Sequence, residues 1–158
     1  KERLIQPEAP VFIPDKYDEH GKWIDGWESR LYRGPGHDYC IVRLGVPVVL
    51  RGIDIDTSLF TGNYPPQAAR VACVSDDVLP AGGWTTIVDT TDLGPDRHHY
   101  FDIADDSAWT HVRLNIYPDG GVARLRLYGV VRPKLGTLCV RIDPLALDNG
   151  GRSIACSD

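Results

Sequence analysis

The stretch His111–Gly129, HVRLNIYPDGGVARLRLYG, restricts the fold of this chain more than any other. Val112, Leu114 and Ile116 alternate with Arg113, Asn115 and Tyr117, the period of two that a half-buried strand requires. Ala123, Leu125 and Leu127 alternate with Arg124, Arg126 and Tyr128 beyond Pro118-Asp119-Gly120-Gly121. Asp-Gly is a strong short-range hairpin signal, because both central residues of such a turn need positive φ. A hairpin around Asp119-Gly120 sets Leu114 opposite Leu125 and Val112 opposite Leu127. The same register sets Arg113 opposite Arg126 and Asn115 opposite Arg124. Like charges facing each other on a sheet repel. The face therefore calls for a neighbouring carboxylate, a bound anion, or water and salt.

A second alternation answers the first. In Gly52–Thr57, Ile53 and Ile55 point one way while Asp54 and Asp56 point the other. Two aspartates on one strand face call for a cation, an arginine cluster or a ligand rich in N–H donors. Pairing them with the arginine face is an economical structural solution; a functional site is the alternative. A D-x-D pair can also ligate a divalent ion, but no further ligands cluster with it in the sequence, and no metal or other cofactor is expected.

The remaining chain supports an all-β reading. Twelve prolines and sixteen glycines punctuate many short alternating runs across 158 residues, enough for one domain with a sizeable core. Strands are expected over Tyr39–Leu44, Val46–Leu50, Ala68–Val74, Trp84–Val88 and His98–Phe101, with a late one over Cys139–Ile142 and a turn at Asn149–Gly151. Lys1–Asp18 reads as an extended, proline-rich entry segment, and Phe60–Pro66 as a turn-rich loop able to approach a small ligand closely. Asp25 and Glu28 beside Trp23 and Trp27 are either acceptors for indole N–H groups or site carboxylates. His37-Asp38 is an oriented base or, from its spacing alone, a turn pair; His98-His99 reads as ordinary surface polarity.

The net charge of -5 argues against nucleic acid or an anionic membrane as partner. No apolar run approaches the ~20 residues that span a bilayer, and no signal-peptide pattern is present. Cys40, Cys73, Cys139 and Cys156 are widely spaced, which favours free thiols and a reduced, cytoplasmic setting. The chain contains no methionine and is expected to be a piece of something longer. Residue types and spacing lead to a jelly-roll β-sandwich with ligand-facing loops, and no further.

Longer motifs carry a resemblance. DGWES (Asp25–Ser29), GHDYC (Gly36–Cys40), GIDIDTSLFTGNYPP (Gly52–Pro66), RLNIYPDGGVARLRLYG (Arg113–Gly129) and NGGRSIACSD (Asn149–Asp158) resemble allantoicases in the same order and over nearly the whole chain. Tyr39 stands where tryptophan is usual and Ser29 where threonine is usual. The resemblance implies the first of two tandem jelly-roll repeats of galactose-binding-domain type, over residues 1–152, with 153–158 beginning the second repeat or a linker. It implies hydrolysis of allantoate to ureidoglycolate and urea in purine breakdown, with the second repeat and further copies as partners. Such chemistry asks for a bidentate arginine on the carboxylate, acceptors for the ureido N–H groups, and an acid and a base.

On the matching motifs, the catalytic candidates are Glu28, His37, Asp38, Asp54 and Asp56, with Glu28, His37 and Asp38 as proton-transfer groups. The substrate-binding candidates are Asp25, Trp27, Asn63, Arg113, Asn115, Arg124 and Arg126, with Arg124 or Arg126 gripping the carboxylate. The competing expectation is a module that binds a small ligand or carbohydrate without catalysis, which predicts exposed tryptophans and few clustered carboxylates.

Overall fold

The computed structural model describes residues 2–18, 21–29 and 36–132. The expected late strand, the turn at 149–151, the boundary after residue 152, Cys139 and Cys156 lie outside them. Among the described residues a 3-10 turn, Glu2–Ile5, precedes ten strands in chain order: β1 Tyr17–Asp18, β2 Gly21–Lys22, β3 Trp27–Glu28, β4 Asp38–Asp56 and β5 Gln67–Cys73. There follow β6 Thr85–Asp92, β7 His98–Asp102, β8 Ala108–Tyr117, β9 Gly121–Val122 and β10 Arg124–Val131. No helix among the described residues is long and apolar enough to cross a membrane.

The 19-residue β4 organises the architecture. It absorbs three separately expected segments, because Gly45 and Pro47 bend the chain through an irregularity between Arg43 and Val48 rather than ending the strand. Proline tolerates such a place because no ladder N–H is required of it there. Before the bend β4 pairs with β8, which pairs with β5, and β5 with β6; beyond it Val48 and Val49 still meet β8, and Gly52–Asp56 lies between β10 and β7. The result is a jelly-roll sandwich whose layers, β4–β8–β5–β6 and β7–β4–β10, share one bent strand. Leu50, Ile53, Ile55, Ala68, Ala72, Val112, Leu114, Ile116 and Leu125 fill the space between them with Leu4 from the entry turn, all of them buried. Arg70 is also buried there, its guanidinium 3.7 Å from the Phe101 ring, and burial pulls its pKa down to about 10.

The expected hairpin does not form. β8 uses both edges on β4 and β5, and β10 joins β4 in the opposite layer. The inward set Val112, Leu114, Ile116 and Leu125 is as the alternation requires, but their cross-strand partners are not each other. Gly120 and Gly121 serve close packing in place of a two-residue turn. A Cβ on Gly120 (φ +139°) would lie 2.6 Å from Pro65 N, and one on Gly121 would lie 1.9 Å from the Phe60 ring. Gly121 N–H donates to the Asn63 carbonyl at 2.7 Å, and β9 pairs with β3. The chain therefore crosses between layers beneath the Phe60–Pro66 loop.

Candidate active site

Strand alternation on the smaller layer turns Ile53, Ile55 and Leu125 inward and the residues between them outward. Cross-strand register then writes the outer face as an array. His98, Asp56 and Arg124 make the first row, Tyr100, Asp54 and Arg126 the second, and Asp102, Gly52 and Tyr128 the third. The Asp strand thus lies beside the Arg strand, as charge complementarity suggested, though the neighbour is β10 directly and not a β8–β10 hairpin.

Pro7–Pro10 of the entry segment crosses this face and walls a cavity of about 250 Å³, lined also by Asp54, Asp56, His98, Tyr100, Arg124, Arg126 and Tyr128. His98 sits between the two acids, with Nδ1 2.8 Å from Asp54 Oδ2 and Nε2 3.8 Å from Asp56 Oδ2. The hydrogen bond that His98 donates to Asp54 holds the imidazole above its ordinary pKa, against the opposing effect of burial. Asp56 Oδ1 accepts the Ser58 N–H at 2.8 Å, while the buried Asp54 Oδ1 has no hydrogen-bond partner. Partial desolvation and the Asp54 carboxylate raise the Tyr100 phenol.

The two arginines of β10 differ. Arg124 is buried: Nη2 donates to Asp25 Oδ2 at 2.7 Å, Nε to Glu8 O at 2.8 Å, and Nη1 to Asp25 O and Ala123 O. Burial pushes the Asp25 carboxyl up, but hydrogen bonds from Arg124 and the Val11 N–H outweigh it, and its pKa lies below the usual value. Arg126 is half-buried and spends one terminal nitrogen on the carbonyls of Pro7 and Glu8, both at 3.1 Å. It has donors left to give.

The other candidates lie elsewhere. Glu28, His37, Asp38 and Asn63 gather at the loop end of the sandwich. Asn63 Nδ2 donates to Glu28 Oε1, Asp38 N–H donates to Pro118 O at 3.2 Å, and the His37 ring lies 4.8 Å from that of Tyr117. A cavity of about 470 Å³ opens beside them, lined by Tyr64, Gln67, Asp92, Leu93 and Tyr117 among others. Arg113 and Asn115 occupy the outer face of the larger layer; the Arg113 guanidinium lies 4.9 Å from the Trp84 ring and 5.7 Å from that of Tyr39. Trp27 is half-buried against the core. Among the described residues no group of three or more His, Cys, Asp or Glu is arranged to hold a metal ion.

His98, which reads in sequence as ordinary surface polarity, instead lies between two acids, and Tyr100, Asp102 and Tyr128 join its face by register alone. Their alternation, H-x-Y-x-D, is visible in His98–Asp102, but only pairing with β4 gives it meaning.

Comparison with known proteins agrees with this architecture. The family model described as Allantoicase repeat matches residues 1–132. A probable allantoicase of Acinetobacter baumannii (strain SDF) is 52% identical over 157 residues, covering 99% of this chain and 47% of that protein. Probable allantoicase 2 of Burkholderia mallei (strain ATCC 23344) is 50% identical over 165 residues, covering all of this chain and 48% of that protein. The chain therefore spans about half the length of the curated relatives it matches. The crystal structure of allantoicase from Saccharomyces cerevisiae superposes with a TM-score of 0.72 at 35% identity, over 85% of this chain and 42% of the yeast chain. An F5/8 type C domain from Bacteroides fragilis shares the fold, with a TM-score of 0.58 at 16% identity over 83% of this chain and 81% of that one. By motif, by identity over almost its full length and by fold, this chain belongs to the allantoicase repeat family.

Proposed function

We propose that this chain is the catalytic repeat of an allantoicase, hydrolysing allantoate to ureidoglycolate and urea on the outer face of the β7–β4–β10 layer. One observation carries the reading: His98 is held between Asp54 and Asp56, beside a guanidinium with spare donors, in one small cavity. Arg126 takes the substrate carboxylate, for which its planar fork is suited. Asp54 and Asp56 face the ureido N–H groups. As the carbon–nitrogen bond breaks, His98 gives its Nε2 proton to the nitrogen that leaves as urea. Water bonds to the methine carbon and surrenders its proton to Asp56, which returns it to His98. Arg124 and Asp25 take the positioning role, fixing β10 and the entry segment so that Arg126 faces the acids. This reading gives Glu28, His37, Asp38 and Asn63 the task of holding the loop end, with Arg113, Asn115 and Trp27 supporting the sandwich.

The proposed reaction belongs to purine-derived ureide breakdown, and this chain spans about half the length of the curated relatives that support the reading. A second repeat of the same protein, association of further copies and a cytoplasmic setting complete the proposal; the free thiol of Cys73 accords with the last. The larger loop-end cavity, with Tyr64 and Tyr117 in its wall, favours a second reading as a binding module for a small polar ligand. Urea release from allantoate by the full-length protein, beside its His98→Ala variant, tests the proposal. Release abolished in the variant supports it; ligand binding without urea release supports the module.

A further inference from the structure

The third row of the array differs from the other two. Between Asp102 on β7 and Tyr128 on β10, the central strand offers only Gly52, with no side chain at all. A glycine inside a strand costs stability and commonly marks a place where something approaches the backbone closely. Protein packing does not require this one. A Cβ on Gly52 would meet Phe101 O at 3.7 Å and Tyr128 at 3.9 Å, ordinary van der Waals contact, and its φ is not in the left-handed region. Gly129, one residue beyond Tyr128, is the opposite case. A Cβ there would lie 2.3 Å from Val49 O, at the irregularity between Tyr128 and Gly129. That glycine is demanded by the bulge, and bulges beside sites re-aim neighbouring side chains. Tyr128, 53% exposed, flanks the ground above Gly52, while Tyr100, one row away and 70% exposed, stacks its ring on that of His98 at 5.7 Å; both line the cavity over the two acids.

Resting on the catalytic reading above, we infer that Gly52 is the specificity-determining position for two-armed substrates. The open ground over it, beside the phenol ring of Tyr128, receives the planar ureido arm that stays on the carbon, while the arm that leaves lies against Asp56 and His98. Flat amide groups stack on aromatic faces, and Asp102 at the end of the row supplies an acceptor for the terminal N–H groups. A side chain on Gly52 fills that ground without disturbing the acids or His98.

The test uses the full-length protein with allantoate, which has two ureido arms, and ureidoacetate, which has one, as competitive inhibitor. Gly52→Ala and Gly52→Val are compared with wild type, and Asp54→Asn reports on the catalytic reading itself. The KM for allantoate is expected to rise about tenfold or more in Gly52→Val and less in Gly52→Ala, since one methylene too many in a fitted pocket has an effect of this order. The inhibition constant of ureidoacetate stays within about twofold and the melting temperature of Gly52→Ala is unchanged. Parallel weakening of both ligands, or no change in either, alongside lost turnover in Asp54→Asn, overturns the role of Gly52 and leaves the catalytic reading standing. Wild-type turnover in Asp54→Asn overturns both.

Discussion

The two faces of the sandwich each present arginine from an alternating strand, yet they use it in different ways. On the larger layer Arg113 lies against the rings of Trp84 and Tyr39, with aliphatic neighbours Ile41 and Val71 opposite it on β4 and β5. On the smaller layer Arg124 and Arg126 stand directly opposite Asp56 and Asp54, with His98 and Tyr100 on the far side of the acids. The residue type is the same and the period is the same. What separates a packed cation from a polar cup is the strand that happens to be next door.

The difference can be broken at several points. The largest effect is expected at Arg124→Ala. Arg124 and Asp25 are both buried, and removing one partner of a buried pair strands the other, at a cost of about 3–5 kcal/mol. Chemical denaturation measures it; a loss below about 1 kcal/mol would show that the pair does not hold β10 to the entry segment. Acid sharpens the same point. The Asp25 carboxyl is depressed in the folded state, so its contribution is present above the unfolded value near pH 3.9 and disappears as pH falls through the lower folded value.

Next in size is His98→Gln, which keeps a hydrogen bond to Asp54 but removes the proton donor. Turnover of the full-length protein should fall about 10²-fold or more, the usual reach of general acid catalysis, with the fold intact by circular dichroism. An unchanged kcat would take His98 out of the mechanism.

Arg113→Leu should be milder. A stacked guanidinium contributes about 1 kcal/mol, so stability should drop by that order while kcat and KM for allantoate stay put. A tenfold loss in kcat/KM would move the larger face into the site and erase the contrast between the layers.

The smallest effect is the pH dependence of the His98–Asp54 pair. Because the folded His98 pKa is raised, its stabilisation is full below the unfolded value near 6.5 and fades as pH climbs through the higher folded value. The side chain of His98 is 47% exposed, so solvent limits this to less than about 1 kcal/mol. Comparing melting temperatures of wild type and His98→Gln across neutral pH should show the gap narrowing as pH rises; a gap that widens contradicts the pairing.

Much of this was readable in the residues. Alternation identified the inward sets of β4, β8 and β10, and the mismatch of charge between Asp54/Asp56 and the arginines foretold that acid and base would meet. The partner of β8 was not readable, since a period of two is the same whether a strand folds back on its neighbour or crosses to the other layer. Asp119-Gly120 looks like a hairpin turn in one dimension; the Phe60 ring and the Asn63–Pro65 backbone, far away in sequence, explain those glycines in three. For the same reason His98 reads in sequence as ordinary surface polarity, and Tyr100 and Gly52 carry no signal. Each is unremarkable until the register of β7 and β10 against β4 assembles the rows.

In the proposed mechanism the substrate sits on the small layer over Asp54 and Asp56, not at the loop end. Titrating the full-length protein with allantoate and following the imidazole nitrogens of its histidines by NMR tests this most directly, because His98 marks one place and His37 the other. The His98 signals should shift with substrate while those of His37 stay still. Shifts at His37 with His98 unmoved would contradict that placement.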